Sequence, residues 1–345
     1  MKHSLVVRLD SLGDMLICGP AIRAVAANSD QVTVLAGPRG AAAARLLPGV
    51  DEVEVWSCPW IASPAPAVEA ADVNGLTRRL RRRRITDALI LTSFHQSAMP
   101  TALLLRMAGV PRIAAVSEDY PGSLLTTRVP PPPDGPEPIR MLEIAEAAGF
   151  SLPPGDDGRL AVRHSLPAPD LGPERYVVLH PGASAPARRY PLQHWIALAA
   201  ELSAAGRRVV VTGSADEVAL TAAVASVPAE APIVDLGGRL DLPQLAGVLA
   251  GADVLVAANT GPAHLAAAVG TPVVSLFAPV VPSTRWAPYG VPCVLLGDQA
   301  APCRHTRAVD CPVDGHPCLS TVDAVTAAQA VQKLTTATVP AGRQP

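Results

Sequence analysis

The segment Arg8-Leu9-Asp10-Ser11-Leu12-Gly13-Asp14 sets two carboxylates and a glycine where the apolar run Leu5–Leu9 gives way to a helical pattern. A carboxylate in the first turn of a helix is favoured as an anion by the N-terminal dipole, and an anion beside a substrate hydroxyl can act as a general base. Aspartate is also a favoured helix cap, so Asp14 reads either as a cap or as a base. The spacing matches neither G-x-G-x-x-G nor G-x-x-x-x-G-K-[ST], so gripping a nucleotide is not the evident work of this turn.

Three further segments suit an anionic ligand. Asn259-Thr260-Gly261-Pro262-Ala263-His264 follows the apolar run Val254–Ala257 and opens the helical pattern Gly261–Val269. The first N–H groups of such a helix form an anion site, Pro262 wastes no donor there, and phosphate is the natural guest. His264 is either a further donor or a structural histidine. His180-Pro181-Gly182-Ala183-Ser184, followed by Arg188-Arg189-Tyr190-Pro191, puts two arginines next to a glycine turn. Guanidinium stays charged and donates bidentately, so the pair reads as a diphosphate clamp or as solvated loop charge. Gly213-Ser214-Ala215-Asp216-Glu217 ends another strand with carboxylates placed to accept from ribose hydroxyls. Glu217 is the better candidate, because Asp216 can serve as a cap.

The elements that must position these residues follow from periodicity. Short β-branched runs alternate with Ala/Leu-rich helical segments: Leu5–Leu9, Asp14–Ala27, Val32–Ala36, Ala88–Thr92, Ala98–Ala108 and Ile139–Phe150. A Pro-dense stretch, Val129–Pro138, and a Pro/Gly-rich one, Leu152–Pro173, interrupt the pattern. It restarts with Tyr176–His180, Leu192–Ala204 (anchored by Trp195), Arg208–Thr212, Ala215–Ala225, a strand near Ile233, Leu242–Ala250, Val254–Ala257, Gly261–Val269 and Pro272–Phe277. This is an α/β chain of two parallel-sheet domains, with the boundary expected near residues 165–174 and a tail without regular structure over Thr335–Pro345. Two sheets of this kind present strand ends to a cleft, which suits a reaction joining two substrates.

Bulk properties narrow the class. A length of 345 residues fits two cores. The 49% hydrophobic content is broken by Gly, Pro or charge before any span of bilayer length, and the N-terminus has no secretory pattern, so a cytoplasmic protein with at most peripheral membrane contact is expected. A net charge of −2 and the lack of aromatics interleaved with basic residues argue against nucleic acid. The basic run Arg78–Arg84 reads as a solvated helix end or as a surface meeting an anionic acceptor or membrane. Cys303, His305, Cys311, His316 and Cys318 cluster late without a C-x-x-C knuckle, leaving zinc, a disulfide or redox contact, and a structural loop as readings. No Asp-x-Asp pair near a strand end suggests a divalent metal.

Together these segments resemble glycosyltransferase family 9, the ADP-heptose:lipopolysaccharide heptosyltransferases, from Val6 to about Val325. The strongest stretch runs from Asn259 through Thr271-Pro272-Val273-Val274-Ser275-Leu276-Phe277 to Trp286. The resemblance implies a GT-B fold: an acceptor domain over 1–165, a donor domain over 170–335, and inverting sugar transfer that needs no metal or cofactor. It implies ADP-heptose as the donor and a glycan, lipid-linked or small-molecule acceptor. Asp14 matches the family's base, with Asp10 and Gly13 on the acceptor side. Arg188 stands where the family usually has a phosphate-binding lysine and Ser184 where a hydroxyl meets phosphate. Glu217 matches the ribose-binding acid, Leu240 a position lining the base, and Thr260, Gly261 and His264 belong to the diphosphate loop. Asn259 departs from the family's usual aspartate, keeping hydrogen bonding but removing a charge beside the donor. Other readings of the same pattern are a glycosyltransferase using another nucleotide sugar on a cell-wall or natural-product acceptor, an epimerase or hydrolase, and a non-catalytic sugar-nucleotide-binding protein.

Overall fold

The computed structural model describes residues 1–163 and 166–337. The chain divides into two compact units, Met1–Arg163 and His164–Pro345. The first unit runs β1 (His3–Arg8), α1 (Leu12–Ile17), α2 (Gly19–Ala27), β2 (Gln31–Ala36), α3 (Ala41–Leu46), β3 (Glu52–Val55), α4 (Ala70–Arg83), β4 (Asp87–Ile90), α5 (Met99–Met107), β5 (Arg112–Val116), β6 (Thr127–Val129) and α6 (Glu137–Ala147). The second runs β7 (Tyr176–His180), α7 (Leu192–Ala204), β8 (Arg208–Val211), α8 (Val218–Ala225), β9 (Ile233–Asp235), α9 (Leu242–Ala250), β10 (Val254–Ala258), α10 (Gly261–Ala268), β11 (Val273–Leu276), α11 (Ser283–Trp286), β12 (Cys293–Leu296), α12 (Pro317–Ser320) and α13 (Ala324–Ala337). Single 3₁₀ turns at Pro186–Arg188 and Ala215–Glu217 follow β7 and β8.

Both sheets are parallel throughout, with orders β3-β2-β1-β4-β5-β6 and β12-β11-β10-β7-β8-β9. Counted from its own first strand, the second order repeats the first. In each unit the winding starts at a central strand, proceeds to one edge, then returns beside that strand and proceeds to the other. The reversal falls between β1 and β4, and between β7 and β10, where the loops leaving the carboxyl ends diverge and open a crevice. Helices cover both faces, so the central strands read as unbroken apolar runs. Leu5, Val6 and Val7 are all buried, as are Val177, Val178 and Leu179.

The single helix expected over Asp14–Ala27 is two. Pro20 has no N–H to continue the ladder, and Cys18 ends α1 while capping α2. The strands β3, β5, β6 and β12 lie outside the periodic runs read from sequence. Edge strand β3 is the alternating Glu52-Val53-Glu54-Val55, and β6 is three residues abutting the tetraproline. The expected irregular tail begins too early, since α13 takes in Thr335 and Thr336 behind Val331 and Leu334, which pack in the core. The rest of that tail lies outside the described residues. The basic run closes α4 beside β3: Arg79 pairs with Glu54 at 2.8 Å, and Arg83 with both Glu52 and Glu54. Among the described residues no helix is long and apolar enough to cross a membrane.

One close approach ties the fold to the loop after β1. A Cβ placed on Gly37 would lie 2.2 Å from the Leu9 carbonyl oxygen, whereas one on Gly135 would meet nothing within 4 Å. Gly37→Ala is therefore expected to cost about 1–3 kcal/mol through forced backbone displacement, read as a lower midpoint of thermal unfolding. Gly135→Ala serves as the silent control, and equal midpoints for the two variants would refute the reading.

Candidate functional site

In the first unit the crevice is organised by Arg8, the last residue of β1, which is 2% exposed. Its Nη2–H donates to Asp14 Oδ1 at 3.0 Å and to Ser93 Oγ at 2.8 Å, and its Nε faces Asp10 Oδ2 at 2.9 Å. Burial works against the guanidinium's charge, but Asp10 foremost, with Asp14 and Glu137, more than offsets it, so Arg8 is held above the ordinary arginine value. Gln96 Nε2 donates to Asp10 Oδ1 at 2.5 Å, drawing the loop after β4 onto the loop after β1. Asp14 is not the helix cap. Ser11 occupies that position and Asp14 is the third helical residue, its Oδ2 accepting from the Ser11 hydroxyl at 2.6 Å. Gly13 lies between them, buried in the first turn of α1. Arg8 and Ser11 thus hold one oxygen each of a carboxylate that remains part-exposed at 22%. Below it, Cys18 is buried with its thiol pushed up to about 12, so it stays protonated.

In the second unit the loops after β7 and β10 meet in the corresponding place. Arg188, on the 3₁₀ turn, donates from Nη1 to the Asn259 carbonyl at 3.2 Å. Thr260 is the N-cap of α10 in extended conformation without a side-chain cap bond, and Gly261 and Pro262 fill the first helical positions. His264 is buried in the first turn, at 6% exposure. Ser184 is exposed in the loop after β7, and Arg189 turns away to the Ala183 carbonyl at 3.0 Å. Glu217 reaches back to the Ser214 N–H at 2.8 Å and lies against Gly182, where an added Cβ would fall 2.1 Å from its carboxylate. His180 is buried behind it, its Nδ1 against Thr212 Oγ1 at 3.0 Å. Burial pulls this imidazole down to about 4, Glu217 opposing, so it is neutral at pH 7. Leu240 is half-buried just before the Asp241 cap of α9.

Asn259 differs from its sequence reading. Its side chain is buried and paired with the main chain of one residue: Nδ2 donates to the Ala278 carbonyl and Oδ1 accepts from the Ala278 N–H, both at 3.3 Å. The amide fastens the end of β10 to the segment after β11, and it is the Asn259 main chain that meets Arg188. A carboxylate can match only the N–H of that residue, not its carbonyl.

The late cysteine segment supports the same turn. Val309 O accepts from the Ala187 N–H at 2.8 Å, and the His316 ring donates from Nε2 to the Ala187 carbonyl at 3.1 Å. Cys303 and Cys318 are buried in the core, and burial pushes the Cys318 thiol up to about 12. Among the described residues no group of three or more His, Cys, Asp or Glu side chains is arranged to hold a metal. Of the three readings left by the sequence, the structural loop is the one these contacts fit. The residues that sequence reasoning passed over are Arg8, Ser93, Gln96 and Ala278. Only Arg8 carries a sequence signal, a cation ending a buried strand just before two aspartates.

Comparison with known proteins adds an independent line. The family described as glycosyltransferase family 9 (heptosyltransferase) matches residues 74–315. Lipopolysaccharide heptosyltransferase 1 of Pseudomonas aeruginosa is 33% identical over 242 residues, 67% of this chain and 66% of that protein. Lipopolysaccharide heptosyltransferase 3 of Escherichia coli is 29% identical over 142 residues, 41% of each chain. In both cases the match spans less than two thirds of the relative's length. Among solved structures, E. coli ADP-heptose lps heptosyltransferase II superposes with a TM-score of 0.73 at 21% identity, covering 98% of this chain and 99% of that one. E. coli heptosyltransferase WaaC with ADP-2-deoxy-2-fluoro heptose gives 0.69 at 20%, covering 96% and 99%. The fold is the GT-B fold of these enzymes.

Two outcomes follow from the geometry. Asn259→Asp is expected to destabilise the protein by about 1–3 kcal/mol at pH 7, because a buried carboxylate then faces the Ala278 carbonyl. The deficit relative to wild type should shrink as acid protonates the new side chain and restores a donor; a deficit independent of pH would count against this pairing. For His180, whose folded value lies below the unfolded 6.5, the unfolded state takes up a proton first as pH falls. Stability should therefore drop on the order of 2 kcal/mol between pH 6.5 and about 4. His180→Gln, which does not titrate, should flatten that limb in denaturant titrations.

Proposed function

The chain belongs to glycosyltransferase family 9, the heptosyltransferases, and from that premise we propose that it moves a sugar, heptose from ADP-heptose, onto an acceptor hydroxyl in a single inverting displacement. The observation that carries the reading is the pairing of one fold with opposite charges. The crevice of the first unit presents Asp14 and Asp10, and that of the second presents Arg188 and the open N-terminus of α10.

Asp14 takes the proton of the acceptor hydroxyl as its oxygen attacks the anomeric carbon, while the bond to the nucleotide diphosphate breaks on the opposite face. The ion pair with Arg8 fixes the direction of the carboxylate. Proton transfer runs late, because the attacking oxygen becomes far more acidic as its new bond forms. Asp10 and Gly13 shape the acceptor's surroundings. On the donor side the developing diphosphate charge meets Arg188, the Ser184 hydroxyl, the first N–H groups of α10 at Thr260 and Gly261, and His264. Glu217 accepts from the ribose hydroxyls and Leu240 lies against the base. Asn259 contributes by holding Arg188 in place through its carbonyl. Fixed cations and N–H groups supply the neutralisation that a divalent metal gives in other transferases. The acceptor is a glycan, lipid-linked or small-molecule hydroxyl of the kind met in lipopolysaccharide assembly, the process named for the relatives. The enzyme works from the cytoplasm with at most peripheral membrane contact.

Asp14→Asn is expected to lower kcat for heptose transfer by about 10²–10⁴-fold while leaving the stabilisation of the protein by ADP intact. Full activity in this variant would remove Asp14 from the mechanism. A thermal-shift series of ADP-, GDP-, UDP- and dTDP-sugars tests the donor, since a ligand that binds only the folded state raises the midpoint. Absence of any shift with ADP compounds, when another nucleotide gives one, would reassign it.

A further inference from the structure

Between β4 and α5 the chain makes a tight turn over Ser93–Gln96. The Gln96 N–H donates to the Ser93 carbonyl at 2.9 Å, and the Ser93 N–H donates to Gln96 Oε1 at 3.0 Å. With Oε1 committed to a donor, Gln96 Nε2 points to an acceptor and meets Asp10 Oδ1 at 2.5 Å. Both ends of the amide are engaged, so the network assigns its orientation. The Ser93 hydroxyl accepts from Arg8 Nη2 at 2.8 Å. Phe94 and His95, between the two anchors, are exposed. The turn is therefore held by its polar bonds rather than by burial of its tip.

Those bonds converge on one buried guanidinium. Asp10 Oδ2 lies 2.9 Å from Arg8 Nε, while Nη2 is shared by Ser93 Oγ and, at 3.0 Å, Asp14 Oδ1. On the side of α6, Met141 Sδ lies 3.8 Å from Nη1. Guanidinium is planar and rigid, so fixing Nε and Nη2 fixes the direction from which Arg8 donates to Asp14. Asp10 can hold Nε in place only if it is itself held, and Gln96 is the residue that takes its other oxygen. With one oxygen engaged by each neighbour, Asp10 belongs to the support of Asp14. A base must stand within hydrogen-bond reach of the proton it removes. A misplacement of about 1 Å, caused from outside the reacting groups, can cost on the order of 10²-fold in rate.

We propose that Gln96 is a positioning residue for sugar transfer: through Asp10 and Arg8 it sets the direction in which the Asp14 carboxylate faces the acceptor hydroxyl. This rests on the reading of Asp14 as the base and adds the turn after β4 as the element that aims it.

The test uses the full chain with ADP-heptose and heptose-free lipopolysaccharide core oligosaccharide, followed by product mass and initial rates of ADP release. Gln96→Leu, which keeps bulk and loses both polar ends, should lower kcat about 10–100-fold, with KM for donor and acceptor within about twofold. Gln96→Lys keeps a donor within reach of Asp10 and should return kcat to within about fivefold of wild type. In an Asp14→Asn background, Gln96→Leu should change kcat by less than about twofold, because no carboxylate is left to aim. Thermal-unfolding midpoints with and without ADP establish that each variant is folded at the assay temperature. Should Gln96→Leu not fold, Ser93→Ala, which removes the hydroxyl from Arg8, takes its place with the same expected split. Undiminished kcat in the single variant overturns the inference. So does a loss of equal factor in both backgrounds, the result of a merely structural role. A raised KM for the acceptor at unchanged kcat also overturns it, by putting Gln96 on the substrate. A wild-type chain that turns over no nucleotide sugar, with or without acceptor, would instead fail the transferase reading itself.

Discussion

A parallel sheet wound outward in two directions from its centre has one place that no crossover helix can cover, the gap between the two strands where the winding reverses. Both units obey this constraint with the same strand order, and in each the loops leaving the two strands that flank the gap carry candidate site residues: Asp10 and Asp14 after β1, Arg188 after β7, and Thr260 and Gly261 after β10. The demands on the loops follow from it. Loops at this edge must approach one another closely, which is why Gly37, after β2, lies against Leu9, and Gly182, after β7, against Glu217, after β8. They must also satisfy whatever polar groups the approach buries.

The two units meet that second demand differently. At the end of β1 the buried polar group is a full cation. A lone buried guanidinium is costly, so Arg8 is surrounded by Asp10, Asp14 and Ser93, and each of those bonds fixes a residue of the crevice. Removing Arg8 would leave two carboxylates repelling each other at the mouth of α1, which makes the arginine a structural requirement of any role Asp14 has. After β7 the cation, Arg188, is part-buried and donates to the Asn259 carbonyl, with the segment carrying Val309 and His316 bracing the turn from behind.

Much of this was legible in the residues. Alternating apolar and helical periods gave two α/β units, because buried parallel strands leave continuous apolar runs that survive any detail of packing. The glycine turns at Gly13, Gly182, Gly213 and Gly261 marked strand ends for a similar reason. What periodicity could not carry was anything set by a partner distant in sequence. The strand Glu52–Val55 alternates charge because Arg79 and Arg83 of α4 lie beside it, and nothing within four residues announces that. The role of Arg8 depends on Ser93, 85 positions away, and that of Asn259 on Ala278. The break at Cys18 was visible in Gly19-Pro20, but the apolar period running through it masked the proline.

Asn259 shows how a local departure from a family pattern can be absorbed. The position is buried, and its side chain faces the main-chain N–H and carbonyl of Ala278, a donor and an acceptor side by side. An amide is the neutral complement of that pair, whereas a carboxylate would need a further donor to satisfy the oxygen turned toward the Ala278 carbonyl. Asparagine therefore preserves the shape of the loop that presents its carbonyl to Arg188 while contributing no negative charge.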